Sequence, residues 1–232
     1  MELKDVIYKR RSVRKYEDGE LSNDILEKIE NYFSMVKPLD ETINYKLKII
    51  DAKNVKSAFK WLPNKFIAIY SEEKNDYLVN AGFILQQLDL YVQSIGLGSC
   101  WLGMAKIDFN IEENNMKFII MLAIGYPLEK TYRDFKDFKR KEMEKISDIV
   151  DIRLEPARLA PSSVNSQPWY FIHENDLIHI YLKNNTVMAI PLHDFNRIDL
   201  GIALCHLYVS NEDTFRFEKK IGKKNYFGTI KL

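Results

Sequence analysis

Arg10, Arg11 and Arg14 place three guanidiniums inside five residues, with the Ser12 hydroxyl among them. A phosphate dianion is best met by forked, permanently charged donors joined by hydroxyl or amide donors, and this segment carries both. The same cations at a helix end would complement its dipole, a contribution of about 0.3–1 kcal/mol each, so the cluster alone leaves both uses open. Far downstream, Pro161, Ser162, Ser163, Asn165, Ser166, Gln167 and Pro168 precede Trp169. The two prolines stiffen the backbone. The amides and hydroxyls between them can match the carbonyls and nitrogens of a planar heterocycle, though they are equally good turn formers. A third segment, from Gly96 through Gly98 and Ser99 to Gly103, would let backbone amides approach a ligand closely. A glycine cap after a long helix explains Gly96 or Gly98 as well.

These segments need elements to carry them. Leu3, Val6 and Ile7 predict a short helix ending near Arg10 to Ser12, and Ser22-Asn23-Asp24 reads as the cap of a second. Residues Lys46 to Ile50 and Phe66 to Tyr70 read as strands, and Asn80 to Ile95 as a long apolar helix that stops at the glycines. Phe118 to Ile124 is a strand closed by Gly125-Tyr126-Pro127, followed by a charged connector from Leu128 to Glu144. Ile146 to Leu159 reads as one helix, and Tyr170 to His173 and Leu177 to Leu182 as strands about a turn. Arg197 to Val209 is a second apolar helix, with Tyr226 to Ile230 a last strand. Glu112-Glu113 reads as a solvated helix start. Phe59, Trp61 and Phe66 cluster near a turn, as core or as cover for a ligand face.

One internal echo stands out. Ala81-Gly82-Phe83-Ile84-Leu85-Gln86-Gln87-Leu88 and Leu200-Gly201-Ile202-Ala203-Leu204-Cys205-His206-Leu207 share Gly, Leu and Leu in register, offset by 119 residues in a chain of 232. Two related halves would produce this, and so would chance between two apolar helices. Composition narrows the classes further. A net charge of +1 supplies no global field for nucleic acid or an anionic membrane. The charged start is unlike a signal peptide, and no apolar run is long enough for a membrane span. Cys100 and Cys205 form no framework, and His173, His179, His193 and His206 are scattered singly, so neither disulfide nor metal is expected. Two thiols of this kind suit a reducing, cytoplasmic setting.

Taken together, the Arg10-Arg11-Ser12-Val13-Arg14 run, the Ala160-to-Trp169 segment and the Gly96-to-Gly103 segment resemble the FMN-dependent nitroreductase family. Gly125-Tyr126-Pro127 and the trailing Arg140-Lys141 are similar to that family's closing strand and basic residue. The resemblance implies an α+β, nitroreductase-like fold with FMN as cofactor and NADH or NADPH as electron donor. It implies that Arg10 and Arg14 hold the phosphate, with Arg11 and Ser12 near the ribityl chain and ring and Arg140 adding a phosphate contact. Pro161, Ser162, Ser163 and Asn165 would line the dimethylbenzene and ribityl side. Gly98 and Ser99 would turn amides toward the ring edge where electron density rises on reduction. No side chain need act as nucleophile or base, and no catalytic residue is assigned.

The order of the pieces departs from the family. Ordinarily the polar segment follows soon after the arginines, whereas here that position holds Phe33-Ser34-Met35-Val36-Lys37-Pro38. Ordinary members place the flavin at a homodimer interface, with the arginines and the polar segment on different subunits. The arrangement therefore looks like both roles fused into one chain. It implies two related α/β halves, 1–140 and 141–232, packed as an intrachain pseudo-dimer with one composite site. A monomer or weak homodimer is expected. The activity implied is hydride transfer from a nicotinamide through FMN to a small organic acceptor such as a nitroaromatic or a quinone. A flavin-binding carrier or sensor without catalysis, and flavin-linked dehalogenation or oxidation, are the alternatives.

Overall fold

The computed structural model describes residues 1–108, 115–183, 193–219 and 225–232, so the Glu112-Glu113 pair lies outside the described residues. Helices α1 (Leu3–Ile7) and α2 (Asn23–Phe33) come first, the latter capped by the Ser22 side chain, which accepts from the Ile25 amide. Strand β1 (Tyr45–Asp51), the short β2 (Val55–Lys56) and β3 (Lys65–Ser71) lead into α3 (Tyr77–Ser94). Strand β4 (Gly98–Leu102), the short β5 (Lys106–Ile107) and β6 (Lys117–Gly125) follow. After the connector come α4 (Met143–Ile146), α5 (Glu155–Leu159), β7 (Trp169–Glu174), β8 (Leu177–Leu182), α6 (His193–Ser210), β9 (Arg216–Lys219) and β10 (Tyr226–Lys231).

The described strands form two antiparallel four-stranded sheets, ordered β1-β3-β6-β4 and β7-β8-β10-β9, and β2 pairs with β5. In both large sheets the order is first, second, fourth, third strand. In both, an 18-residue helix, α3 or α6, runs between the second and third strands. Those two helices are buried almost all round and cross at glycines. A Cβ on Gly82 would strike the Ile198 carbonyl, and one on Gly201 the Val79 carbonyl, so each glycine meets the residue three before the other. Reciprocal contacts of this kind arise when two helices cross about a local two-fold axis.

The apolar run of β3 serves two cores at once. Ile67 and Ile69 join the main cluster around α3 and α6, while Phe66, Ala68 and Tyr70 face a smaller one with Leu102 and Met121. A strand covered on both faces reads as continuous rather than alternating.

Three expectations need correction. The stretch Ile146 to Leu159 is not one helix: α4 ends at Ile146, Ser147 turns extended, and a new start at Asp151 leads through a 3-10 turn into α5. Pro156 at the first turn of α5 has no N–H to continue a helix from upstream, and the Asp151 carboxylate holds the Arg153 amide instead. The glycine-containing stretch after α3 turns at Gly96 and again at Gly103; between them, Gly98–Leu102 is strand β4 paired with β6. The arginines lie on extended chain beyond the five-residue α1, which leaves little dipole for them to complement. No described helix is long and apolar enough to cross a membrane.

Candidate functional site

The segment carrying the arginines is zipped along two neighbours. The Val13 amide donates to the Ser99 carbonyl at the edge of β4. Arg10 bridges Tyr132, Tyr16 bridges Pro127, and the Arg133 amide donates to the Lys9 carbonyl. This pairing carries Arg133 beside Arg10, whose carbonyl accepts from Arg133 Nε at 3.0 Å. The end of the connector is zipped in turn onto the polar segment. Arg140 donates to Asn165 Oδ1 at 2.9 Å, Asn165 Nδ2 donates to the Lys139 carbonyl at 2.8 Å, and the Lys141 amide donates to Gln167 Oε1 at 2.8 Å. Two regions some 150 residues apart in sequence thus face each other across one cleft of about 630 Å3.

That cleft is lined by Arg10, Arg11, Ser12, Arg14, Arg140, Pro161, Ser162 and Asn165 from the sequence expectation. Ser163 lies on an adjoining, more apolar chamber of about 260 Å3, which shares Ser12, Arg14, Pro161, Ser162 and Val164 with the cleft. Gly98 and Ser99 line neither. Packing turns this stretch of β4 away at the side-chain level: a Cβ on Gly98 would run into Val13, and the Ser99 hydroxyl is turned inward to Asp89 Oδ1 at 2.5 Å. Further along β4 and beyond it, Cys100, Trp101 and Gly103 reach the chamber instead. Arg133 and Lys139 in the cleft were read as part of a charged connector. Their position depends on the pairing with Arg10 and Asn165, which no local pattern announces. Phe195, Ile198, Asp199 and Ile202 were legible in principle as one helical face interrupted by a single acid.

The cations of the cleft differ in how far they are committed. Arg10 is buried, and its Nε lies 2.9 Å from Asp89 Oδ2 as an ion pair whose N–H does not point along that line. Arg11 pairs with Glu129 at 3.1 Å. Among the described residues, Arg133, Lys139 and Arg140 have no carboxylate within ion-pair distance. Burial, and then the neighbouring Arg10 and Arg11, pull the Arg133 guanidinium down to about 10. Burial, and then Arg10, Arg133 and Arg158, pull Arg140 down to about 9. Both stay charged at neutral pH, in a cleft whose described lining holds one acid, Asp137. Asp137 offsets part of this repulsion at Arg133, and the remaining excess of positive charge is what an anion-binding site presents.

The polar segment is held under strain. Val164, a β-branched residue, sits at φ 47, and Asn165 and Gln167 are also left-handed. Such backbone carries about 1–3 kcal/mol per residue and persists only where its surroundings over-determine it. Here the Gln167 amide is held by Ser162 Oγ at 2.9 Å and the Ser163 amide by both carboxyl oxygens of Asp199 at 3.0 Å. Burial pushes the Asp199 carboxyl up to about 8, against the lowering bonds from Ser163 and Ser166. It is therefore a neutral acid in the chamber wall at pH 7.

Deeper in the core, Ser99 Oγ, Gln93 and Gln86 all converge on Asp89. Gln86 Nε2 also lies 3.1 Å from His206 Nε2, and the opposite ring nitrogen lies 2.9 Å from the Pro156 carbonyl. That pattern is satisfied by a neutral imidazole donating from Nδ1, in keeping with burial driving His206 down to about 3. Trp101 Nε1 donates to Gln86 Oε1, tying the chamber wall to this network.

Asp199 makes a measurable signature. Its folded pKa of about 8 lies above the ordinary carboxyl value of 3.8, so the folded state holds a proton the unfolded chain has lost. Its stabilising effect is complete below about pH 4 and is lost as pH rises to about 8. His206, depressed from 6.5 to about 3, acts oppositely but is silent above 6.5. Between pH 6.5 and 8, stability should therefore fall by about 1 kcal/mol per pH unit from Asp199 alone, the slope flattening as pH 8 is reached. The Asp199→Asn protein should lose that slope in denaturant titrations, and an unchanged slope would place the proton elsewhere.

An α+β fold of two like sheets around a crossed helix pair, with a cationic cleft opening onto an apolar chamber, defines the nitroreductase-like class. The family described as "Putative TM nitroreductase" matches residues 2–211, and the chain belongs to it. A crystal structure described as a "putative nitroreductase" from Thermotoga maritima superposes with a TM-score of 0.69 at 21% identity, covering 100% of this chain and 94% of that one. A nitroreductase family protein from Clostridium difficile 630 matches at TM-score 0.51 and 18% identity, over 66% of this chain and 98% of its own. An FMN-dependent nitroreductase from Clostridium difficile R20291 matches at TM-score 0.44 and 23% identity, over 59% and 95%. No curated protein matches the chain.

Proposed function

We propose that the chain binds one FMN across the cleft and chamber and passes reducing equivalents from NADH or NADPH to a small organic acceptor, a nitroaromatic or a quinone. The observation that carries this reading is the joining of the front arginines to the serine–asparagine segment around one cleft, closed by the Arg140–Asn165 bond. We read residues 1–140 and 141–232 as two related halves of an intrachain pseudo-dimer with one composite site. The shared strand order and the reciprocal crossing at Gly82 and Gly201 support it. Most of what a second subunit would bring is then already present, which favours a monomer or weak homodimer.

The residues fit the cofactor. Arg133 and Arg140 are half-buried cations of the cleft without an ion pair among the described residues, with charge to spare for a phosphate dianion. Arg14 and Lys139 also line it without an ion pair among those residues, and Arg10, Arg11 and Ser12 complete that end. Pro161, Ser162, Ser163 and Asn165 stand where the ribityl chain and ring would meet the chamber. FMN held there would supply the hydride chemistry. The chain's own part is to position it, exclude water with Ile198, Ile202 and Trp101, and keep a protonated carboxyl at Asp199 beside it. In the net exchange a nitroarene takes two electrons and two protons and leaves as nitrosoarene and water, while the nicotinamide gives up a hydride.

The test is titration of the purified protein with FMN, followed by anaerobic addition of NADH or NADPH. Stoichiometric uptake of one FMN per chain and bleaching of the flavin band are expected. A yellow protein that neither nicotinamide bleaches would indicate a carrier or sensor. Absence of any FMN uptake would remove the flavin reading altogether.

A further inference from the structure

We propose that the outer part of the chamber selects an aromatic acceptor bearing a negative charge, with Arg14 as its counter-ion and Phe59, backed by Trp61, as its stacking wall. The inference rests on the flavin reading above and adds a substrate class to it. Three exposed apolar side chains gather on this one chamber: Phe59, Met104 and Val164 are 37%, 69% and 65% exposed. A concentration of this kind beside a cleft marks a surface that meets an apolar ligand. Phe59 lines the chamber, and Trp61, packed against the smaller core, backs it with ring centroids 5.2 Å apart and a tilt of 35°.

Arg14 stands apart from the other arginines of its segment. Arg10 is held by Asp89 and Arg11 by Glu129, but the Arg14 side chain has no ion pair among the described residues. Only its backbone amide engages Glu129. Its guanidinium carbon lies 5.9 Å from the Trp61 ring centre, on the aromatic side of the chamber. The other ionisable groups on the described chamber wall are Cys100 and Asp199. Burial raises the Cys100 thiol and lifts Asp199 to about 8, so both are neutral at pH 7. The described wall then carries one formal charge, and it is positive. An aromatic carboxylate would find a stacking surface and a charge partner together, whereas a cationic acceptor would meet repulsion. Arg14 lines both the cleft and the chamber, so it would serve recognition of the acceptor beside the phosphate role implied by family resemblance.

The experiment compares 4-nitrobenzoate with its neutral analogue 4-nitrobenzyl alcohol on the FMN-loaded protein. Binding is read without donor, as quenching of tryptophan fluorescence, and turnover as KM and kcat. The wild-type protein should favour the carboxylate by about tenfold, the size of one charge-assisted hydrogen bond at a half-open site. Arg14→Gln should abolish the preference by weakening the carboxylate alone, and Arg14→Lys should retain part of it. Any loss of FMN affinity in Arg14→Gln should be clearly smaller than its loss for 4-nitrobenzoate, and KM for NADH and NADPH should change less than KM for 4-nitrobenzoate.

Equal affinity of the wild-type protein for both nitroarenes would overturn the inference and leave the flavin reading intact. So would a loss of FMN affinity in Arg14→Gln as large as the loss for nitrobenzoate, because Arg14 would then hold the phosphate. A rise in KM confined to the nicotinamide would assign Arg14 to the donor and overturn it too. A wild-type protein that takes up no FMN would defeat the flavin reading itself, a result none of the other outcomes can mimic.

Discussion

Changing Arg133 and Arg140 together to glutamine should weaken FMN binding by about a thousandfold. Charge-assisted hydrogen bonds are worth about 1.5–3 kcal/mol each, so losing two removes about 3–6 kcal/mol, or two to four decades of affinity. These two are chosen over the more obvious front arginines because of how their charge is spent. Arg10 already faces Asp89 inside the core and Arg11 already faces Glu129, so part of their field is cancelled before any ligand arrives. Arg133 and Arg140 have no such partner among the described residues, and each is depressed by burial and by its cationic neighbours. A phosphate relieves that repulsion, which adds to the direct attraction.

The single variants divide the effect. Arg133 Nε donates only to the Arg10 carbonyl, and its guanidinium stacks 3.8 Å over the Phe138 ring, so Arg133→Gln tests charge with little loss of scaffolding. Arg140 also holds the Leu159 carbonyl and Asn165 Oδ1, so Arg140→Gln should loosen the polar segment as well. Fluorescence titration of FMN at two ionic strengths is the measurement, with the wild-type affinity falling in salt more steeply than that of the double variant. A double variant that binds FMN within threefold of wild type would put the phosphate outside this cleft.

Gly201→Ala should lower the thermal midpoint by about 6–12 °C, and Gly82→Ala by a similar amount. In an ordinary helix interior, alanine gains about 1 kcal/mol over glycine. Here that gain is outweighed. The added methyl at 201 would fall deep inside the Val79 carbonyl and that at 82 inside the Ile198 carbonyl, and backbone atoms cannot swing aside as a side chain can. The helices must part instead, through a core packed on every face. With backbone as the obstacle, the cost exceeds the usual overpacking penalty of about 1–3 kcal/mol, reaching about 4 kcal/mol before alanine's gain is subtracted. A net loss near 3 kcal/mol corresponds to about 2–4 °C per kcal/mol in a chain of this size. Because α6 also carries Ile198, Asp199 and Ile202 into the chamber, FMN affinity should fall in the same variants. A midpoint equal to that of wild type would mean that the two helices do not cross this closely in solution.

Local chemistry already wrote much of this protein into its residue order. The period of apolar positions marked α3, α6, β3, β6 and the β7–β8 pair, because a buried face imposes its own repeat on the chain that supplies it. The arginine cluster and the serine–asparagine segment were visible as chemistry before any fold was known, and with the glycine segment they carried the family resemblance that the match over residues 2–211 bears out. Other features depended on partners far along the chain. Strand β4 looked like a glycine turn because its strand character comes from β6, and the helix expected over Ile146 to Leu159 broke where Ser147 bridges Phe171. Nothing near Arg133 says that it will sit against Arg10, and nothing near Asp199 says that burial will keep its proton on at neutral pH. Secondary structure answers to neighbours a few residues away, but charge and proton affinity answer to whatever the fold brings within a few ångströms. That is why the segments of the site were readable in order, while the division of labour among its arginines emerged only once the chain had closed around them.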